Sequence, residues 1–301
     1  MKIKLYIVTY NNPEYLDKNL ESLFETDIVD YDYEVTVINN HSNFKIRDNF
    51  FEDYNLKVIN NETRPDWSTG HLARSWNQCL INGFKDLENP DCDVLVHAQD
   101  DLTWSKKWVS FILGAHKKYT FITFGTGDGI CSYLPEAVLK IGLWDERFCG
   151  IGCQCGDYFL RALKFNKEKS SVNDAGHVRL LNPLPGNYGG KWSKGGNENV
   201  CDTPSHEACG DHGMQRWEEH NRSKLYHDIC RLIFSSKYGV KMAPGKNGDP
   251  GPGHMLWEVD WSLVDMDSPP EIKDKQDVHY PYFEKPMFTG KKHPAYRLHM
   301  Q

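Results

Sequence analysis

The first hundred residues alternate short apolar runs with helix-period segments, and several of the runs end in polar turn residues. Residues 3–9 are one such run. Pro13, which suits a first helical turn, then opens a segment with Leu16, Leu20, Leu23 and Phe24 on one face. Val35-Thr36-Val37-Ile38 and Leu56-Lys57-Val58-Ile59 are further runs. Residues 70–84 return to helical spacing through Leu72, Trp76, Leu80 and Phe84, and Asp93 to Ala98 reads as a fourth strand. Strands separated by helices predict an α/β fold with a mostly parallel central sheet flanked by helices. Ligands in such sheets sit beyond the carboxyl ends of the strands. The polar clusters at 9–12, 39–43 and 99–101 fall there.

Composition narrows the class. The chain has 301 residues, with Lys+Arg 35 against Asp+Glu 42, a net charge of −7. A mildly acidic chain does not coat nucleic acid through bulk charge. No stretch approaches the roughly 18 consecutive apolar residues of a transmembrane segment. The N-terminal run reads as a first strand and not a signal peptide. Nine cysteines, an odd number without an export signal, predict reduced, buried thiols and a cytoplasmic location.

The second half is less regular. Residues 134–141 and 157–165 read as short helices and 214–236 as a longer one. Residues 182–213, rich in Gly, Asn, Pro and His, are long for a structureless connection, which favours a functional loop. Residues 243–301 are rich in Pro, Gly and charge, with interspersed aromatics. The expected organisation is a domain over 1–236 and an irregular C-terminal arm over 237–301. The arm would pack on the domain or on a neighbouring subunit, a route to a homo-oligomer.

Three constellations carry chemistry. Gln99-Asp100-Asp101 sets two acids at the end of an apolar strand, where they need water or a cation. Hard carboxylate oxygens suit Mg²⁺ or Mn²⁺, which hold diphosphate oxygens. Asp157 opens a helical stretch and is either its N-cap or a general base that deprotonates an acceptor hydroxyl. The glycine-rich segment 189–196 suits a lid or a solvated loop. As a lid, its Lys191 and Lys194 would meet diphosphate and its Trp192 would stack on a sugar. Cys201, His206, Cys209 and His212 have soft ligands at short spacing, without the paired arrangement of a structural zinc site.

Five segments resemble a family when taken in order. Lys4 to Asn12 with Pro13 is similar to the opening of family-2 glycosyltransferases of the GT-A fold. Val37-Ile38-Asn39-Asn40-His41-Ser42-Asn43 is similar to their "V-I-D-N-x-S-x-D" turn. Arg74-Ser75-Trp76-Asn77-Gln78-Cys79 resembles the "W-N-x-G" helix of the rhamnosyltransferase-like branch. Val94 to Trp108 resembles the acid-pair strand. Gly142 to Arg161 resembles the "G-x-F-D-E-x-F … E-D-x-D-x-x-x-R" block.

The resemblance implies metal-dependent, inverting transfer from a nucleotide-sugar donor to a carbohydrate or glycan acceptor. It places Thr9, Tyr10, Asn11 and Asn39 around base and ribose, and Arg74 and Asn77 on the donor side. Asp100 and Asp101 fall on the metal–diphosphate, with Asp101 the direct ligand. His177, His206 and His212 are candidates for a later metal-ligating histidine. The chain departs from the pattern where Gln154 and Cys155 replace the Glu-Asp pair that supplies the base: either Asp157 takes that role through a local shift, which is the reading adopted, or the base lies elsewhere, or transfer is impaired. A non-catalytic sugar-nucleotide-binding protein on the same scaffold is the alternative. A sugar-phosphate nucleotidyltransferase is a lesser one, since the Gly-rich signature of that class is missing after the first strand.

Overall fold

A computed structural model of the chain describes residues 1–10, 12–40, 45–61, 72–124, 129–148, 153–164, 174–175, 178–180 and 201–202. Strands β1 (Lys2–Thr9), β2 (Asp32–Asn40), β3 (Lys57–Asn61) and β4 (Val94–Gln99) form a parallel block in the order β3-β2-β1-β4. Helices α1 (Pro13–Phe24), α2 (Asp48–Tyr54) and α3 (Leu72–Phe84) lie between them in the chain. The short strand β5 (Thr103–Trp104) and helix α4 (Trp108–His116) follow.

The sheet then turns antiparallel. Strand β7 (Ile130–Tyr133) pairs with β4 on one side and with β6 (Phe121–Phe124) on the other, both antiparallel. Beyond them lie β9 (Val178–Leu180) and β8 (Asp174–Ala175). Helices α5 (Pro135–Ile141) and α6 (Cys153–Lys164) complete the described helices, and β10 (Cys201–Asp202) pairs antiparallel with β5. The fold is mixed α/β with a central sheet flanked by helices, as the alternation predicted.

β1 is buried from Ile3 to Thr9 and apolar at most of these positions because it is central and covered on both faces. Ile3, Leu5 and Ile7 join Val35, Val37 and Val96 against Leu16, Leu20 and Leu23 of α1. Tyr6 and Val8 face the other way, toward Trp76, Leu80 and Phe84 of α3 and Tyr158 of α6. Each such fully buried side chain contributes about 1.5–3 kcal/mol. The buried charge of the strand is satisfied: Lys4 Nζ donates to Gly83 O at 3.0 Å and to Asp91 Oδ2 at 2.6 Å. Lys4, with Lys85, holds the Asp91 carboxyl below its usual range. Cys79, Cys92, Cys131 and Cys155 are buried thiols, in keeping with the reduced cysteines expected.

One boundary corrects the sequence reading. Helix α6 begins at Cys153, so Asp157 lies in its second turn and is not its N-cap. The expected helix at 214–236 and the arm lie outside the described residues.

Candidate functional site

The carboxyl ends of β1 and β4 are tied together by a charged hydrogen bond. Thr9 Oγ1 donates to Asp100 Oδ2 at 2.6 Å, with Thr9 1% and Asp100 3% exposed. Parallel register sets Val8 beside Gln99, so Thr9 and Asp100 are the next rung. Here β1 has β2 on one side and β4 on the other, and the chain order reverses across it, the position at which sheets of this kind hold ligands. The turn after β4 is bracketed from α1. Asn19 Nδ2 donates to Gln99 O at 3.1 Å, and Asn19 Oδ1 accepts from Trp104 Nε1 at 2.8 Å. Ser22 Oγ accepts from Trp104 N at 3.0 Å. Asp101 and Tyr10 stay half-buried at the edge. Directly after the acids, Thr103 pairs with Asp202 and Trp104 with Cys201, so the chain after the glycine-rich segment returns beside the acid pair.

Two amide rungs cap the neighbouring strands. Asn39 Nδ2 donates to Asn60 Oδ1 at 3.1 Å. Asn61 Nδ2 donates to Asn40 Oδ1 at 2.7 Å and to Gln78 Oε1 at 2.9 Å, while Gln78 Nε2 donates back to Asn61 Oδ1 at 3.1 Å. Asn40 Nδ2 reaches Ser75 Oγ at 3.0 Å. Residues 75–78 of α3 are thereby held at the level of the strand ends. Among the described residues, the strand ends on the β2 and β3 side of β1 carry amides, and the acid pair lies at the end of β4.

The loop after α5 packs against α3. Gly142 leaves that helix at φ 93°, a backbone region that L side chains rarely adopt. Asn77 then clamps the loop: its Nδ2 donates to Trp144 O at 2.9 Å and its Oδ1 accepts from Trp144 N at 2.7 Å. The same Nδ2 donates to Glu146 Oε1 at 2.8 Å. Asp145, 1% exposed, is gripped by Arg147, whose Nη2 lies 2.9 Å from Oδ2 and whose Nε lies 3.0 Å from Oδ1. Below the loop, His97 stacks on Trp76 with centroids 3.8 Å apart. Among the described residues neither of its ring nitrogens has a hydrogen-bond partner, and burial pushes its pKa well below the ordinary imidazole value.

Asp157 lies in the interior. It is fully buried; its Oδ2 accepts a hydrogen bond from Arg161 Nε at 2.9 Å and lies within ion-pair distance of Nη2, also at 2.9 Å. Arg161, 1% exposed, also donates to Ile141 O at 2.6 Å and lies over the Tyr158 ring. Gln154 and Cys155 are buried beside it in the chain.

The structure therefore brings Thr9, Tyr10, Asn39, Asp100 and Asp101 to one edge. Arg74 is half-buried at the start of α3. Asn77 points into the 142–148 loop and serves as its clamp. Asn11, Lys191, Trp192, Lys194 and His206, like His177 and His212, lie outside the described residues. Among the described residues no group of three or more His, Cys, Asp and Glu side chains is placed to hold a metal ion. The acid pair fits one all the same in its chemistry, since Mg²⁺-type ions are often held by one or two carboxylates plus the phosphates of a substrate. Sequence reasoning missed Asn19, Asn60, Asn61, Gln78 and Glu146. The signal available was the run of amides at the ends of two adjacent apolar segments.

No protein-family model matches the chain, and no curated protein matches it. Solved structures do. TarS of S. aureus aligns over 80% of this chain and 44% of its own, at 13% identity and TM-score 0.43, so the chain spans less than half of that protein. Residues 1–349 of TarS with UDP align over 79% of this chain and 72% of theirs, at 14% identity and TM-score 0.43. The mannosyltransferase PcManGT of Pyrobaculum calidifontis, with GDP-Man and Mn²⁺, aligns over 74% of this chain and 64% of its own, at 11% identity and TM-score 0.44. No helix among the described residues is long and apolar enough to cross a membrane.

Proposed function

We propose that the chain is a glycosyltransferase that moves a sugar from a nucleotide-diphosphate donor to an acceptor hydroxyl, with inversion at the sugar carbon. The observation that carries this reading is the Thr9–Asp100 bond at the reversal point of the sheet. It fixes an acid pair beside the neutral amides of Asn39 and Asn60. A neutral pocket rich in donors and acceptors suits a nucleobase and ribose, and the adjoining acids suit the metal that accompanies a diphosphate. Asp101, with Asp100 behind it, would hold Mn²⁺ or Mg²⁺, which supplies charge neutralisation for the departing nucleoside diphosphate.

The proposal has further parts. The catalytic domain covers 1–236 and the arm 237–301. Lys191, Trp192 and Lys194 belong to a lid over the diphosphate, and His206 adds a metal ligand. The return of the chain to β5 beside the acids supports both. The enclosed position of Asp157 favours a second reading, a sugar-nucleotide-binding protein without transfer, unless another carboxylate takes the proton.

Calorimetric titration with UDP-, GDP- and dTDP-sugars, with and without Mn²⁺, tests the proposal. Metal-dependent binding of one nucleotide class is expected, and Asp101→Ala should abolish it. Equal Mn²⁺-dependent binding in that variant would remove the acid pair from the site.

A further inference from the structure

Asn19 interrupts the apolar face of α1. Leu16, Leu20 and Leu23 on that face are aliphatic, and Asn19 is as fully buried as they are. An amide in such a layer is costly unless both of its ends are satisfied. Here both are. Trp104 Nε1 can only donate, so the amide oxygen must face it, at 2.8 Å. The amino group is thereby turned to the main chain of the acid pair, 3.1 Å from Gln99 O and 3.5 Å from Asp100 O. Ser22, one turn further along α1, secures the backbone of Trp104, whose N donates to Ser22 Oγ at 3.0 Å. The stretch that carries Asp100 and Asp101 is thus held at both ends from one helix, while the Thr9 hydroxyl holds the Asp100 carboxylate between them. A helix that only had to cover the sheet would be served by a fourth aliphatic side chain at position 19. What the amide adds is a fixed direction for the carbonyls of Gln99 and Asp100, and with them a fixed course for the main chain that bears the two acids.

We infer that Asn19, itself oriented by Trp104, is a positioning residue for the acid pair and sets the geometry in which Asp100 and Asp101 meet a divalent cation; this rests on the role given to the acid pair in the transferase reading. Mg²⁺-type ions demand near-ideal octahedral geometry with ligands at about 2.0–2.1 Å, so a small drift of the main chain behind the carboxylates weakens their hold. Groups that orient metal ligands from behind typically carry about 10–100-fold in metal affinity. Asn19 acts through the main chain of the acids and Thr9 through a carboxylate, so the two constraints are separate.

The test is titration of Mn²⁺ into the full chain, alone and with UDP, GDP or dTDP, read by the electron paramagnetic resonance of the metal, with thermal melts in parallel. Asn19→Leu should raise the Mn²⁺ Kd by about 10–100-fold. Trp104→Phe keeps an aromatic ring but removes the Nε1 donor, and should raise it by about 2–10-fold, the worth of one hydrogen bond. The two changes together should fall short of their product, because both act through one amide. Leu20→Ala opens a cavity on the same helix face, and should lower the melting temperature at least as far with the Mn²⁺ Kd unchanged. A folded Asn19→Leu chain with the wild-type Mn²⁺ Kd would overturn the inference and leave the acid pair as the metal site. So would a Leu20→Ala chain that loses metal affinity to the same extent. If Asn19→Leu does not fold, Trp104→Phe set against Leu20→Ala decides the matter in the same way. A wild-type chain that takes up no Mn²⁺ under any of these conditions would instead sink the acid-pair assignment, and the inference with it.

Discussion

Removing Arg161 exposes the physical role of its ion pair. Arg161→Met would leave the Asp157 carboxylate fully buried opposite a thioether, with its ion pair and the 2.9 Å hydrogen bond from Nε lost. It would also strip Ile141 O of its 2.6 Å donor. Breaking a buried pair from one side costs about 3–5 kcal/mol, and the carbonyl bond adds roughly 1 kcal/mol. Asp157→Val should cost a similar amount, because it strands the guanidinium. The double variant should fall well short of the sum, since two apolar groups in place of a buried pair are close to neutral. Urea unfolding followed by tryptophan fluorescence measures all three. A loss of this size lowers the midpoint by at least about 1 M at slopes near 1–3 kcal/mol/M. An Arg161→Met protein within about 1 kcal/mol of wild type would show that the pair is solvated and that the packing argument is wrong. So would additive single effects. Were Asp157 the proton acceptor, the isosteric Asp157→Asn would abolish turnover with donor binding intact.

Two further outcomes follow from the same structure. Thr9→Val deletes the hydroxyl that holds Asp100, a charged hydrogen bond worth about 1.5–3 kcal/mol, and should weaken Mn²⁺-dependent donor binding at least tenfold by calorimetry. His97 and His116 (pushed down to about 4) are kept neutral by burial, so only the unfolded chain takes up their protons as pH falls below about 6.5. Stability therefore declines on acidification by up to about 1.4 kcal/mol per pH unit for each imidazole, and His97→Leu should remove one imidazole's share of the slope between pH 6 and 5. An unchanged slope in that variant would contradict the burial account.

The sequence was most readable where period and position agree. The apolar run of residues 3–8, broken only by Lys4, announces a strand buried on both faces, and Leu16, Leu20 and Leu23 announce the helix face that covers it. The acid pair was legible as a site because it interrupts the chain immediately after such a run. Strands β6 and β7 were not legible, since four residues such as Ile130-Cys131-Ser132-Tyr133 carry too little pattern to separate strand from coil. The start of α6 was misplaced because Cys153-Gln154-Cys155-Gly156 has weak helix propensity, which packing overrides.

Local pattern therefore determined the layers and the edge on which ligands should gather, because side-chain periodicity is a property of neighbours along the chain. The tertiary structure decided which polar groups meet. Thr9 and Asp100 are 91 residues apart in sequence, and Asn77 and Glu146 are 69 apart. Asp157 looked like a cap or a base because the i,i+4 spacing that pairs it with Arg161 is also that of an exposed helix pair, and no local signal reveals that the end of α5 will bury both. Burial and charge pairing depend on which elements pack together, and that is settled by the whole fold.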